Sequence, residues 1–181
     1  CPAAIHTAMR LAIPMAREMR RQQPGLPIAF YGLYAGVGQD RVVGDVADSV
    51  FVGEYEPALV EWATTVGSGT EGKGVSRSRG RTRFHRPARS TLPSHDNYAR
   101  LEWMGEARLA AAVEASHGCR HRCRHCPIPV VYDGRMRVVG ADSVLADIDQ
   151  LASDGIQHVT FGDPDFLNAP RYSMDLVREA H

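Results

Sequence analysis

Apolar residues recur at helical spacing through "AAIHTAMRLAIPMAREMRRQ" (3 to 22), which predicts a helix with Pro14 as a kink or restart. "PGLP" ends it, and "IAFYGLYAG" (28 to 36) reads as a buried strand running into a glycine-rich loop. A short strand at "DSVFVG" (48 to 53) precedes a helix over "EYEPALVEWATTV", with Leu59, Trp62, Ala63 and Val66 on one face. From 67 to 97 the apolar period lapses into glycine, serine, proline and arginine, the composition of a linker. Beyond it, "ARLAAAVEASHGC" (107 to 119) predicts a strand that ends at a cysteine-rich loop. "DSVLADIDQLASD" (142 to 154) predicts a helix capped by Asp142 or Ser143, with Val144, Ile148 and Leu151 inward and Gly155 as its stop. "IQHVTF" (156 to 161) is then a strand, "GDPDFLNA" a loop, and Pro170 suits the first turn of a last helix.

Strand-helix alternation of this kind predicts an α/β fold built on a parallel sheet. The cysteine loop and the "GDPDF" loop both follow strands, at the end where such folds place their sites. The organisation expected is a first domain over 1–66, a linker over 67–97 and a second domain over 98–181. Cys1 leads almost directly into a helical pattern and no stop signal precedes His181, so the chain reads as a piece of something longer.

Composition narrows the chemistry. The 181 residues are 44% hydrophobic and 23% charged, which is globular, and the formal net charge is zero, which gives no global pull towards nucleic acid or anionic membrane. Lys73 is the only lysine. The six arginines from Arg77 to Arg89 could form an RNA-binding strip, but Phe84 alone offers a stacking ring among them, which favours a solvated linker. No apolar run approaches a bilayer span and no secretory signal opens the chain, so a cytoplasmic location is expected. Three of the four cysteines fall at Cys119, Cys123 and Cys126, which argues against a disulfide framework and for metal or redox chemistry.

Three thiolates spaced CxxxCxxC do not complete a structural zinc site, which needs four donors. His117, His121 or His125 could be the fourth, making a zinc-binding structural or interaction module. A cubane iron-sulfur cluster is the other solution: three local cysteines hold three irons and leave the fourth open to a non-protein ligand.

"GCRHRCRHC" after an apolar strand resembles the cluster loop of the radical S-adenosylmethionine (radical SAM) enzymes, over roughly residues 98 to 181. The resemblance implies that Cys119, Cys123 and Cys126 ligate a [4Fe-4S] cluster. It also implies that S-adenosylmethionine binds the open iron and is reductively cleaved to a 5′-deoxyadenosyl radical. His125 stands where the family places an aromatic residue near the adenine, and His117 replaces the common arginine before "GC". "FGDPDFLN" lies where the family holds the methionine amino group, which implies Asp163 or Asp165 as the contact, with Gly162 letting the backbone approach. By itself, Asp163-Pro164-Asp165 also reads as an ordinary turn or capping loop.

The first third is similar to the later part of the cobalamin-binding α/β domain that precedes many radical SAM barrels, through "VADSVFVGEYEPALVEW" and the connector "LPSHDNYARL". Gly53, Glu54 and Glu56 also read as a turn with a helix start, and His6 as an ordinary helix histidine rather than a ligand. The paired motifs resemble most the radical SAM proteins with a CUAEP or CCAEP tail. The fold implied is a partial Rossmann-like, cobalamin-binding-type domain followed by the first two βα units of a partial TIM barrel. Cobalamin is thereby a further candidate cofactor, and a flavodoxin or ferredoxin a candidate reductant for an unidentified substrate. With only two barrel units, little or no turnover is expected of this polypeptide alone.

Overall fold

A computed structural model describes residues 7–37, 44, 46–66, 73–98 and 100–181. His6 and Cys1 lie outside the described residues, as does part of the expected linker, 67–72. In chain order the elements are α1 (Thr7–Gln22), β1 (Ala29–Tyr31), α2 (Leu33–Val37), β2 (Ser49–Gly53), α3 (Glu56–Thr65) and β3 (Gly74–Ser78). There follow β4 (Arg100–Trp103), β5 (Glu106–Val113), β6 (Ser116–Gly118), α4 (Ile128–Tyr132), β7 (Met136–Val138), α5 (Ala141–Ser153), β8 (His158–Phe161) and α6 (Pro170–Ala180). They group into two compact units that do not follow chain order: 1–82 with 121–134, and 83–120 with 135–181.

The first unit carries a parallel sheet ordered β1-β2-β3. Every residue of β2 is buried, as a central strand covered on both faces requires. Val50 and Val52 pack with Phe30, Ala35, Val46 and, from α4, Val131. α1 runs through Pro14 without a break and contributes Met9 and Ala16 to this core. Near its end Arg20 donates to Asp48 at 2.8 Å, and the Ile28 amide donates to the same carboxylate at 3.0 Å. Burial alone would raise the Asp48 carboxyl; these partners outweigh it and hold the group below its ordinary value.

Several expectations need correction here. Of 28 to 36, the strand is β1 as expected, but where a glycine-rich loop was expected Leu33–Val37 forms the short helix α2. α2 lies so close to β2 that a side chain on Gly36 would meet Val52 Cγ1 at 2.6 Å. A strand, β3, stands inside the expected linker, its backbone paired along all of β2. α3 buries none of its residues fully; Leu59 and Trp62 are half-buried, while Ala63 and Val66 are exposed.

Gly53 ends β2 at φ +84°, and a Cβ there would sit 2.0 Å from the Ser78 carbonyl oxygen of β3. Left-handed strain and a backbone clash therefore coincide at one residue. Gly53→Ala is expected to cost more than about 2 kcal/mol, read as a lowered denaturant midpoint; a loss below about 0.5 kcal/mol would show that the sheet edge yields freely.

In the second unit β4 and β5 form an antiparallel hairpin, and β5 pairs in parallel with β8. The sheet is thus mixed rather than purely parallel. α5 connects the parallel pair and buries Val144, Leu151 and Asp147. The helix starts from Gly140, which leaves Asp142 in its first turn with no side-chain cap bond, so neither Asp142 nor Ser143 caps it. The strand expected over 107 to 119 is broken after Val113. Its last part becomes β6, which turns away from the sheet and pairs antiparallel with β7.

The segment 83–97 is largely exposed, as a solvated linker is, and is anchored at Phe84 and Arg89. Phe84 packs against the core of Val113, Ala115, Val144, Leu151 and Leu176. Arg89 grips Asp147 with both arms of its guanidinium, at 2.6 and 2.7 Å, and donates to the Ala112 carbonyl at 3.0 Å. Among the described residues, no helix is long and apolar enough to cross a membrane.

Candidate functional site

The cysteine loop begins where β6 ends. Gly118 takes φ +75°, a backbone that glycine adopts without strain, and so swings the chain out of the hairpin at Cys119. Cys119 is buried and belongs to the second unit; Cys123 is exposed and Cys126 half-buried in the first. None of these three thiols forms a disulfide. Cys123 and Cys126 are tied by a turn, the Cys126 amide donating to the Cys123 carbonyl at 3.2 Å. Arg122 pairs with Asp133 at 3.0 Å, and also donates to its carbonyl, which brackets the stretch holding both cysteines. Pro127 and the αL residue Asp133 delimit α4.

Among the described residues, no three His, Cys, Asp or Glu side chains converge as ligands of one ion must. The donor chemistry still suits a cluster, in which each thiolate takes its own iron and the sulfurs need not meet at one point. Of the candidate fourth donors, His117 is packed: its ring stands edge-on to Phe84 at 4.8 Å and its Nε2 lies 3.4 Å from the Glu114 carboxylate. His121 and His125 are exposed.

The second motif is anchored by Phe161 and Phe166, whose rings stack at 4.2 Å across the ends of the loop after β8. The Gly162 amide donates to the Val113 carbonyl at 2.8 Å. A Cβ on Gly162 would find only ordinary contacts, 3.7 Å to Val113 O, so packing within the chain does not demand glycine there. Asp163 accepts from the Ala115 amide at 3.0 Å and from the Ser116 hydroxyl at 2.5 Å, one bond to each carboxylate oxygen. Asp165 accepts from the Asn168 side-chain amide at 3.2 Å, and Asn168 Oδ1 accepts from the Arg120 amide at 3.1 Å. Tyr172 donates to the Val139 carbonyl at 2.6 Å. Burial and the neighbouring Asp163 charge push its phenol up to about 12.

Within the second unit the two motifs meet at Cys119: residues of "GDPDFLN" hold the backbone on both sides of it. Ser116 and Asn168 went unremarked in the sequence. A serine before the cysteine loop gives no signal of a partner 47 positions away, though Asp165 and Asn168 at a three-residue spacing do fit a tight turn.

No family model matches the chain. It is 26% identical over 180 residues to the ribosomal protein uS12 methylthiotransferase RimO of Microcystis aeruginosa, covering 98% of this chain and 36% of that protein. Over 75 residues it is 32% identical to the tRNA-2-methylthio-N(6)-dimethylallyladenosine synthase of Chlorobaculum tepidum, covering 41% of this chain and 17% of the relative. The structure of the radical S-adenosylmethionine methyltransferase TsrM from Kitasatospora setae, with tryptophan substrate and a SAM analog bound, superposes with a TM-score of 0.65. The alignment covers 93% of this chain and 35% of that one at 19% identity. The chain is similar to radical SAM enzymes. A second TsrM structure, with cobalamin and a [4Fe-4S] cluster bound, gives a TM-score of 0.62 at 20% identity, over 92% of this chain and 36% of that one. The likeness to these radical SAM structures extends over both units, and the chain spans about a third or less of the proteins it matches.

Proposed function

We propose that this chain is part of a radical SAM enzyme in which Cys119, Cys123 and Cys126 ligate three irons of a [4Fe-4S] cluster. The fourth iron is left for S-adenosylmethionine. What supports the reading is the placement of three unbridged thiols directly after β6, beside a fold shared with TsrM. When bound, the cluster supplies the electron that cleaves S-adenosylmethionine to a 5′-deoxyadenosyl radical. The chain's own residues do the rest: the thiolates hold the irons, and burial of Cys119 shields one of them from water. The loop at Gly162 and Asp165 and the exposed ring of His125 are the candidate contacts for the methionine and adenine ends of the cofactor. Residues 1–66 are read as the corresponding part of a cobalamin-type domain and 98–181 as the start of a partial TIM barrel, and cobalamin is a candidate second cofactor. A soluble cytoplasmic reductant of the flavodoxin or ferredoxin class would supply the electron.

Anaerobic reconstitution with iron and sulfide tests the reading. About four irons and four sulfides per chain are expected, and the spectrum of the reduced cluster should change when S-adenosylmethionine is added. Stoichiometric zinc with neither iron nor sulfide would end it in favour of a zinc module.

A further inference from the structure

Asp163 lies in the motif where a carboxylate would be looked for to hold an ammonium group, yet both of its oxygens are already engaged within the chain. One accepts the Ala115 amide and the other the Ser116 hydroxyl. Those two residues are the junction at which β5 gives way to β6, the short strand that delivers Cys119. Ala115 and Ser116 are buried, and the Ala115 carbonyl accepts from the Val139 amide at 2.9 Å, so the junction is fixed from both sides. Asn168, from the same loop, holds the Arg120 amide on the other side of Cys119, with Asp165 orienting its side-chain amide.

We propose that Asp163 is a positioning residue, a latch that fixes the root of the cysteine loop and so sets where Cys119 presents its sulfur. Asp163 acts through Cys119 and makes no contact with the cofactor ammonium, which the loop meets through other atoms. The inference deepens the cluster reading and rests on it for its meaning, while the latch itself can be tested without any cluster.

The latch is read by the alkylation rate of Cys119 with iodoacetamide in the cluster-free 181-residue chain carrying Cys1→Ser, Cys123→Ser and Cys126→Ser. Labelling of a buried thiol follows the population of locally open forms. Asp163→Ala should speed labelling about tenfold, and Ser116→Ala by a smaller factor. Asp163→Asn should stay within about threefold, because its amide oxygen still accepts from Ala115 and its amide nitrogen can donate to the Ser116 hydroxyl. In the reconstituted chain with all cysteines restored, Asp163→Asn should also retain S-adenosylmethionine binding within about threefold. A direct ammonium contact predicts the reverse: binding lost in Asp163→Asn, with Cys119 protection unchanged in every variant. That pattern would overturn the latch. Should Asp163→Ala fail to fold by circular dichroism, Ser116→Ala decides in the same assay, and wild-type labelling there refutes the proposal. A wild-type chain that takes up no cluster would sink the functional reading, while the labelling arm still decides the latch.

Discussion

Replacing Cys119, Cys123 or Cys126 singly with alanine is expected to abolish stable cluster loading, taking iron from about four per chain to near zero after desalting. The reason is coordination number. Three thiolates are the whole protein contribution in this reading, with the fourth iron already given up to a non-protein ligand. Loss of one leaves two irons without protein donors, and a cluster so held is released or degraded. Cys1→Ser is the control, and its iron content should match that of the unaltered chain. Iron and sulfide analysis with the visible absorption of the cluster checks both. Should one of the three alanine variants keep full iron and its spectrum, the ligand set is wrong. Replacement of His121 or His125 separates the readings further, since a zinc module relying on either would lose its metal, whereas cluster loading should persist.

Arg89→Ala is expected to destabilise the second unit by about 3 to 5 kcal/mol. The Arg89 and Asp147 side chains are 12% and 6% exposed, so the pair is desolvated, and its stability depends on good geometry. That geometry is present: Nε and Nη2 donate to the two carboxylate oxygens, Gln150 lies 3.4 Å from Asp147, and the Ala112 carbonyl accepts from the same Nη2. Removing the guanidinium strands a carboxylate inside α5. Arg89→Lys should recover little, because an ammonium cannot reproduce the fork. The double replacement Arg89→Met with Asp147→Leu should recover much of the loss, since a buried apolar pair of similar volume need not be worse than a buried ion pair. Urea denaturation of the three variants checks this, and a cost below about 1 kcal/mol for Arg89→Ala would mean that solvent reaches the pair.

The long helices were legible because burying one face imposes a period on many residues at once, as in α1, α5 and α6. Short strands give no such average. β3 spells Gly-Val-Ser-Arg-Ser, and its order comes from backbone pairing to β2, which its side chains do not report. β7 has three residues and is specified by β6 rather than by its own composition. β4 is set by the hairpin turn at Met104 and Gly105, both at positive φ, a cue that "WMGE" carries only through its glycine. Of the six arginines from Arg77 to Arg89, five are exposed as a solvated stretch requires, and one buried aspartate on a helix distant in sequence changes the fate of Arg89 alone. The cysteine motif could be singled out for the opposite reason: the chemistry proposed for it depends on spacing along the chain. Its supports at Ser116, Asp163 and Asn168 are distant in sequence and emerge only on folding.

The assignment of 121–134 to the first unit, between parts of the second, bears on how this molecule can be taken apart. A single cut near residue 98, the obvious place to express two halves, would strip Val131 from the core it shares with Val50 and Val52. It would leave the other half carrying an apolar α4 without its packing partners. Dissection along these units therefore needs three breaks, after residues 82, 120 and 134, and a ribosome releasing this chain must complete β1 and β2 before α4 has anywhere to settle.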